Sequence, residues 1–199
     1  EAIETKVDVP AGYFLQYGGA FEDQQRAMNH LLIVVPISLL IIIGLLYLMF
    51  GEFRFTMLIF LNLPIALSGG IFILWMRGLY LSVSASIGFV ALFGVAVLNG
   101  IVLISHLNDL RKKGKDLKEA VIQGSADRLR PVLMTALVAS LGFLPMAFNV
   151  GPGSEVQRPL ASVVIGGLVT STLLTLLVLP TIYHWMEKGK KLVDKKQEF

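Results

Sequence analysis

The chain has 199 residues, no cysteine and a formal net charge of +3, and 55% of its residues are hydrophobic while only 16% are charged. Soluble domains have about 25% charged residues and do not contain apolar runs of about twenty residues. The composition therefore excludes an ordinary soluble domain, and the lack of cysteine excludes disulfides and thiolate metal sites within this chain. We expect an all-α membrane protein.

The first 28 residues are the only stretch that resembles soluble sequence. YFLQY predicts a short strand that ends at Gly18 and Gly19, and FEDQQRAMNH predicts a polar helix that runs into the membrane. A segment this short has no core of its own. We therefore predict that residues 1–28 are the last strand and the linker helix of a larger domain, and that the chain is the C-terminal piece of a longer protein.

Five apolar segments follow, and each is about long enough to cross a hydrocarbon core of ~30 Å. Pro36, Pro64 and Pro145 fall inside them, which membrane helices tolerate where neighbouring groups satisfy the freed carbonyls. The segments form a predicted transmembrane bundle over residues 29–187, before a basic tail at 188–199. The predicted spans are 31–50, 57–76, 86–107, 131–150 and 160–185.

The connection between the third and fourth spans contains KDLKEAVIQ, in which apolar residues at 117, 121 and 122 alternate with charges. This spacing predicts a short amphipathic helix over about 115–124 at the membrane surface.

Basic residues predict the orientation of the bundle. Thirteen lysine and arginine residues lie in one alternating set of connections together with the tail, and four lie in the other set. The positive-inside rule places the larger set in the cytoplasm. The N-terminus is therefore expected outside and the C-terminus inside.

Neutral polar residues inside the spans are the candidates for function. Asn99 and His106 are seven residues apart on one helical face, and Thr135 shares a face with Ala139 and Gly142. Asn99 and Thr135 are expected at similar depth and could face a common partner. The alternative is that both serve as hydrogen-bonding contacts between helices, while His106 is an interfacial side chain.

No metal, cofactor or nucleophile site is predicted. The histidines and methionines are scattered along the chain, no phosphate-binding loop is present, and the basic residues are explained by topology and anionic lipid. Gly88, Gly94 and Gly100 recur every six residues, which is not a helical repeat, and are expected to relieve packing between helices.

Three motifs closely resemble the resistance–nodulation–division (RND) efflux pumps, and the resemblance extends over essentially the whole chain. RLRPVLMTALVASLGFLPM and GSEVQRPLASVVIGG are similar to the last helices of such a pump, and VPAGYFLQYGGAFEDQQRA resembles the end of its periplasmic porter region. The resemblance implies helices eight to twelve of a twelve-helix membrane domain. It also implies a trimeric inner-membrane pump that joins a periplasmic adaptor and an outer-membrane channel, without a cofactor.

The resemblance further implies export of substrate in exchange for protons, with the proton carboxylates on a fourth helix outside this chain. Drug exporters of the family have a lysine just before the residue that matches Asn99, and Leu98 occupies that position here. GSEVQRPLA resembles cobalt–zinc–cadmium exporters, and no methionine lies near Gln157 as in copper and silver exporters. A divalent cation is therefore the expected substrate. A drug exporter, a copper or silver exporter and a protein-export relative remain alternatives.

The same resemblance assigns three residues to the proton relay and its coupling to helix packing. Thr135 matches a threonine near the proton site, Arg128 matches an arginine at the cytoplasmic end of that helix, and Asn99 matches the polar position on helix ten. The chain by itself lacks the carboxylates and the porter, so we expect it to be inactive in isolation.

Overall fold

The computed structural model describes residues 20–197, with side chains described for 22–188. All of its regular structure is helical in this range. The elements are α1 (Ala20–Phe50), α2 (Phe53–Phe60), α3 (Asn62–Met76), α4 (Val83–Lys112), α5 (Leu117–Phe148), α6 (Ser154–Leu173), a π-helical turn (Leu174–Val178) and α7 (Leu179–Gln197). They form five helical stretches long and apolar enough to cross a membrane, which confirms the predicted all-α class. The predicted N-terminal strand lies outside the described residues.

The first spanning helix is longer than its apolar segment. α1 contains 31 residues, which is about 46 Å at 1.5 Å per residue, so the polar start FEDQQR and the apolar run form one helix. Its contacts are with α2 and α4, and most of its apolar surface is exposed. α1 is therefore a peripheral helix of this bundle.

Prolines explain the two irregular spans. The second span is divided at Leu61 into α2 and α3, because Pro64 has no N–H with which to pair the carbonyl of Phe60. In the fifth span, Pro180 follows a π-helical turn in which the N–H of Leu179 donates to the carbonyl oxygen of Leu174. Pro180 has no N–H to donate, so the regular hydrogen bonding of the helix is interrupted at this point, and the wider π-helical turn accommodates the interruption.

α5 unites two segments that the sequence analysis treats as separate. The amphipathic stretch expected over 115–124 is the first part of a single 32-residue helix that continues through Pro131 and Pro145. The chain reverses just before it at Gly114, whose φ of 85° lies in the left-handed region that glycine adopts without a steric cost.

α6 is the central helix, because it packs against α3, α4 and α5. Glycines set how closely these helices approach. A Cβ added to Gly69 of α3 would lie 2.8 Å from the carbonyl oxygen of Gly166 in α6, and a Cβ on Gly166 would lie 2.8 Å from the carbonyl oxygen of Gly69. The two backbones are therefore in direct contact. On α4, an added Cβ at Gly88 would lie 2.9 Å from the carbonyl oxygen of Leu160.

Some other glycines contact no other helix of the described residues. An added Cβ at Gly94 of α4 or at Gly142 of α5 would meet no atom within 4 Å. Of the three glycines at six-residue intervals, Gly88 and Gly100 do relieve packing, since Gly100 is in contact with Ile59. Gly94 lies on the exposed face of α4 and touches no other helix of the described residues, so its role in packing stays a prediction.

The α3–α6 contact predicts that Gly69→Ala destabilises the protein by about 1–3 kcal/mol, the usual cost of overpacking. Gly44→Ala is the matched control, because an added Cβ at Gly44 on α1 would meet no atom within 4 Å of the described residues. It should leave stability unchanged or raise it by up to about 1 kcal/mol, since alanine is the better helix former. Thermal melting of the detergent-solubilised full-length protein compares the two. Equal melting temperatures for both variants would contradict the close crossing.

Candidate functional site

A fully buried amide connects three elements at the centre of the bundle. Asn62, the first residue of α3, donates from Nδ2 to the carbonyl oxygen of Ala96 on α4 at 3.1 Å and to Oγ1 of Thr175 at 2.9 Å. Thr175 is itself fully buried in the π-helical turn. The side chain of Asn62 therefore links α3, α4 and the last span at one point.

Several buried polar atoms of the same helices have no hydrogen-bond partner among the described residues. These atoms are Oδ1 of Asn62, Nδ2 of Asn99, Oγ of Ser171 and Oγ1 of Thr172. A buried polar group left unsatisfied costs about 1–3 kcal/mol. Both donors and acceptors are present in this group, so water or a further polar chain could satisfy them. The interior of the bundle is mainly apolar, but it contains this small group of polar side chains and, within the described residues, no buried carboxylate.

The structure separates Asn99 from Thr135. Asn99 is buried on α4, and its amide nitrogen has no partner. Thr135 lies on an exposed part of α5 and donates to the carbonyl oxygen of Pro131 in its own helix at 2.9 Å. Because one side chain points into this bundle and the other points out of it, any common partner would have to lie outside the described chain.

Arg128 and His106 lie near the end of the bundle that is predicted to be cytoplasmic. Arg128 on α5 is half-buried, and its Nε has no hydrogen-bond partner in the described structure. His106 Nε2 lies 3.0 Å from Oδ2 of Asp127, which joins α4 to α5. A Cβ on nearby Gly124 would lie 2.5 Å from a methyl of Leu107, so the two helices are in close contact here. His106 is thus partly exposed at a helix junction, rather than free at the interface.

Arg77 joins three helices at the opposite end of the bundle. It follows α3 and donates from Nη2 to the carbonyl oxygen of Ala147 at the end of α5, at 2.6 Å, and from Nη1 to Oγ of Ser162 on α6, at 2.5 Å. The guanidinium also lies 5.4 Å from the ring centroid of Phe148, within the range of a cation–π interaction. Arg77 therefore fixes the relative positions of α3, α5 and α6.

Sequence reasoning missed Asn62 and Arg77 as structural connections. Asn62 lies in an apolar run two residues before Pro64, so the sequence indicates only a helix break at this point. Arg77 is one of the few basic residues of its connection, and the sequence indicates no further role for it. The available signal for Asn62 was the threonine-rich last span, because a buried amide needs partners. Within the described range, no group of three histidine, acidic or cysteine side chains is placed to hold a metal ion.

Comparisons with known proteins identify relatives over nearly all of the chain. The model of the AcrB/AcrD/AcrF family matches residues 1–187. The cobalt-zinc-cadmium resistance protein CzcA of Cupriavidus metallidurans is 55% identical over 183 residues, which is 92% of this chain and 17% of CzcA. The cation efflux system protein CusA of Escherichia coli is 38% identical over 197 residues, covering 94% of this chain and 19% of CusA.

A solved structure supports the same relationship. A heavy metal efflux pump determined by X-ray crystallography is 46% identical, with a TM-score of 0.76 over 94% of this chain and 18% of that chain. The chain thus spans less than a fifth of the length of each of these three proteins.

The contact between Asn62 and Thr175 predicts that Thr175→Val destabilises the protein by about 1–3 kcal/mol, because the buried amide loses an acceptor. Thr181→Val is the control in the same span, since Thr181 is exposed and donates to the carbonyl oxygen of Leu177 in its own helix. It should change stability by less than about 0.5 kcal/mol. Thermal melting in detergent measures both, and a control as destabilised as Thr175→Val would refute the role of the buried link.

Proposed function

Because this chain belongs to the AcrB/AcrD/AcrF family of RND transporters, we propose that it is the C-terminal membrane part of a proton-driven pump that exports divalent heavy-metal cations. The main support is its likeness to CzcA, whose name refers to cobalt, zinc and cadmium resistance and which is 55% identical over 92% of the chain. The absence of a lysine at position 98 also favours a metal exporter over a drug exporter.

In this proposal the five helical stretches are helices eight to twelve of the whole pump. Their exposed faces give room for the remaining helices, since Gly94 on α4 and Gly142 on α5 lie open and small residues allow membrane helices to approach closely. Leu98 and Thr135 are also exposed. The helix that holds the proton carboxylates would pack near these outward faces.

Asn99, Thr135 and Arg128 are the residues proposed to couple protonation to helix packing. The unpartnered Nδ2 of Asn99 and the unpartnered Nε of Arg128 are buried within the bundle, so a carboxylate on a helix packed at its outer face would accept hydrogen bonds from these donors through a bridging water. Protonation of that carboxylate would weaken such hydrogen bonds, because bonds to a charged acceptor are about twice as strong as neutral ones. The helices would then shift relative to one another.

α1 is proposed to transmit the shift to the periplasmic porter region. The segment 21–31 and the apolar run belong to one uninterrupted helix, and a continuous helix moves as a rigid element. The loose packing of α1 within the described residues, mainly against α2 and α4, leaves it able to tilt.

The rest of the proposal concerns the whole protein. The pump would be an inner-membrane homotrimer that works with a periplasmic adaptor and an outer-membrane channel, with the start of this chain in the periplasm and its end in the cytoplasm. The excess of basic residues near the ends of α4 and α7 supports that orientation. A copper or silver exporter and a protein-export relative are the alternatives, and the lower 38% identity to CusA weighs against the first.

Expression of the full-length pump in a metal-sensitive bacterial strain should raise tolerance to zinc, cobalt or cadmium several-fold and lower the cell content of that metal. Tolerance to silver and copper should not change. Growth curves and elemental analysis of washed cells measure the two quantities. Protection against silver alone, or no change for any metal, would contradict the proposal, and the five-span fragment expressed alone should give no protection.

Asn99→Leu in the full-length pump should reduce metal export by at least about tenfold, the effect of losing one hydrogen bond to a charged group. Thr135→Val should also reduce it, and Thr181→Val is the control for removing an exposed membrane hydroxyl. Export is measured in cells with expression matched by immunoblot. Full export by both Asn99→Leu and Thr135→Val would contradict a role in proton coupling and would indicate that the two residues only make contacts between helices.

A further inference from the structure

A polar cavity of about 340 Å³ opens where the turn between α1 and α2 meets the end of α4 and the first half of α7. It lies at the end of the bundle predicted to be cytoplasmic, away from Asn62 and Arg77. Its charged lining consists of Glu52, Asp109, Arg111, Lys112 and Glu187. The residues proposed above to couple protonation to helix packing do not line this cavity.

The wall of the cavity is held in place by buried contacts. Tyr183 is 1% exposed, and its hydroxyl donates to Oδ1 of Asn108 at 2.7 Å. Its ring stacks on Phe55 with centroids 5.8 Å apart. Gly51, with a φ of 68°, reverses the chain between α1 and α2 and so brings Glu52 to the rim. The charged groups therefore surround a preformed space.

The charges exclude two simple classes of ligand. The carboxylates are not clustered as a metal site requires, since no metal-binding group of three occurs in the described part of the chain. A purely anionic ligand would be repelled by the three carboxylates in the lining, those of Glu52, Asp109 and Glu187. Opposite charges around one space instead match a zwitterion, with its anionic group at Arg111 and Lys112 and its cationic group at the carboxylates. Nη1 of Arg111 donates a hydrogen bond to the carbonyl oxygen of Lys115, and the guanidinium has further N–H groups that can donate to a ligand.

The apolar part of the lining places this cavity at the edge of the membrane. Met49 and Phe50 at the end of α1 line it, and the adjoining surface of α1 exposes Leu45 and Leu48. A polar cavity next to an apolar, lipid-facing helix surface matches a phospholipid, which has a polar head group and apolar acyl chains. At about 30 Å³ for each water, the cavity has room for roughly ten waters, which is ample for a phosphoethanolamine group.

We propose that this cavity binds the head group of a phospholipid with a primary amine, of the phosphatidylethanolamine type, from the membrane leaflet on the basic side of the protein. The phosphate lies at Arg111 and Lys112, and the ammonium donates hydrogen bonds to Asp109 and Glu187. The acyl chains lie along α1. The lipid would thereby join α1 to α4 and α7 at the end of the bundle where α1 turns into α2.

Native mass spectrometry of the purified full-length pump tests the proposal, with phosphatidylethanolamine, phosphatidylcholine and phosphatidylglycerol added in equal amounts. Phosphatidylethanolamine should be retained about tenfold more than phosphatidylcholine, whose methylated amine cannot donate hydrogen bonds to the carboxylates. Equal retention of the three lipids, or a preference for phosphatidylglycerol, would overturn the proposal. So would displacement by free phosphoethanolamine at the same concentration as the lipid, since that would indicate a soluble ligand.

The variant Asp109→Asn/Glu187→Gln should lose the preference for phosphatidylethanolamine and keep its binding of phosphatidylglycerol. Lys112→Gln, at an exposed position, should weaken both lipids. Glu119→Gln is the matched control, because Glu119 is exposed and pairs with Lys115 at 3.7 Å outside the cavity lining. Loss of preference in Glu119→Gln, or none in the double variant at an unchanged melting temperature, would refute the assignment.

Discussion

The direct contact between the backbones of α3 and α6 is the constraint on which the rest of the bundle depends. At Gly69 and Gly166 neither helix can accept a Cβ without meeting the carbonyl oxygen of the other. A lipid bilayer gives no hydrophobic drive for two apolar helices to associate, so close packing and hydrogen bonds supply the attraction. With this crossing fixed, Asn62 reaches Thr175 near one end of α3, and Arg77 reaches Ser162 near the other.

The helices outside this central contact have a different character. α1 and α5 bury little of their apolar surface in this chain, and the open glycines at 94 and 142 lie on outward faces. The bundle therefore combines a closely packed centre, made by α3, α4 and α6, with faces that remain available to lipid or to other helices. That division suits a pump in which some helices keep their packing while others shift during transport.

The spans were predictable from sequence because length and apolarity alone define a membrane-crossing segment. The contacts between spans were much less predictable. Gly88 and Gly94 have similar surroundings in the sequence, but only Gly88 touches another helix, since which face of a helix is covered depends on its neighbours. Asn62 was missed because its partners lie 34 and 113 residues away. Asn99 and Thr135 were expected to face a common partner, but only Asn99 is buried, because Thr135 lies on a face of α5 that no helix of the described residues covers. The continuity of α5 through Pro131 was also unexpected, because proline usually ends a helix in soluble proteins.

The account is tested most directly by reconstituting the full-length pump in liposomes and following zinc movement with an entrapped fluorescent indicator while a pH gradient is imposed. Zinc should move against its own concentration gradient only while protons flow in the opposite direction, and an ionophore that dissipates the pH gradient should stop it. In the pump that carries Asn99→Leu, the zinc movement that is coupled to proton flow should be lost. Zinc transport that continues unchanged after the pH gradient has been removed would contradict a proton-driven exporter.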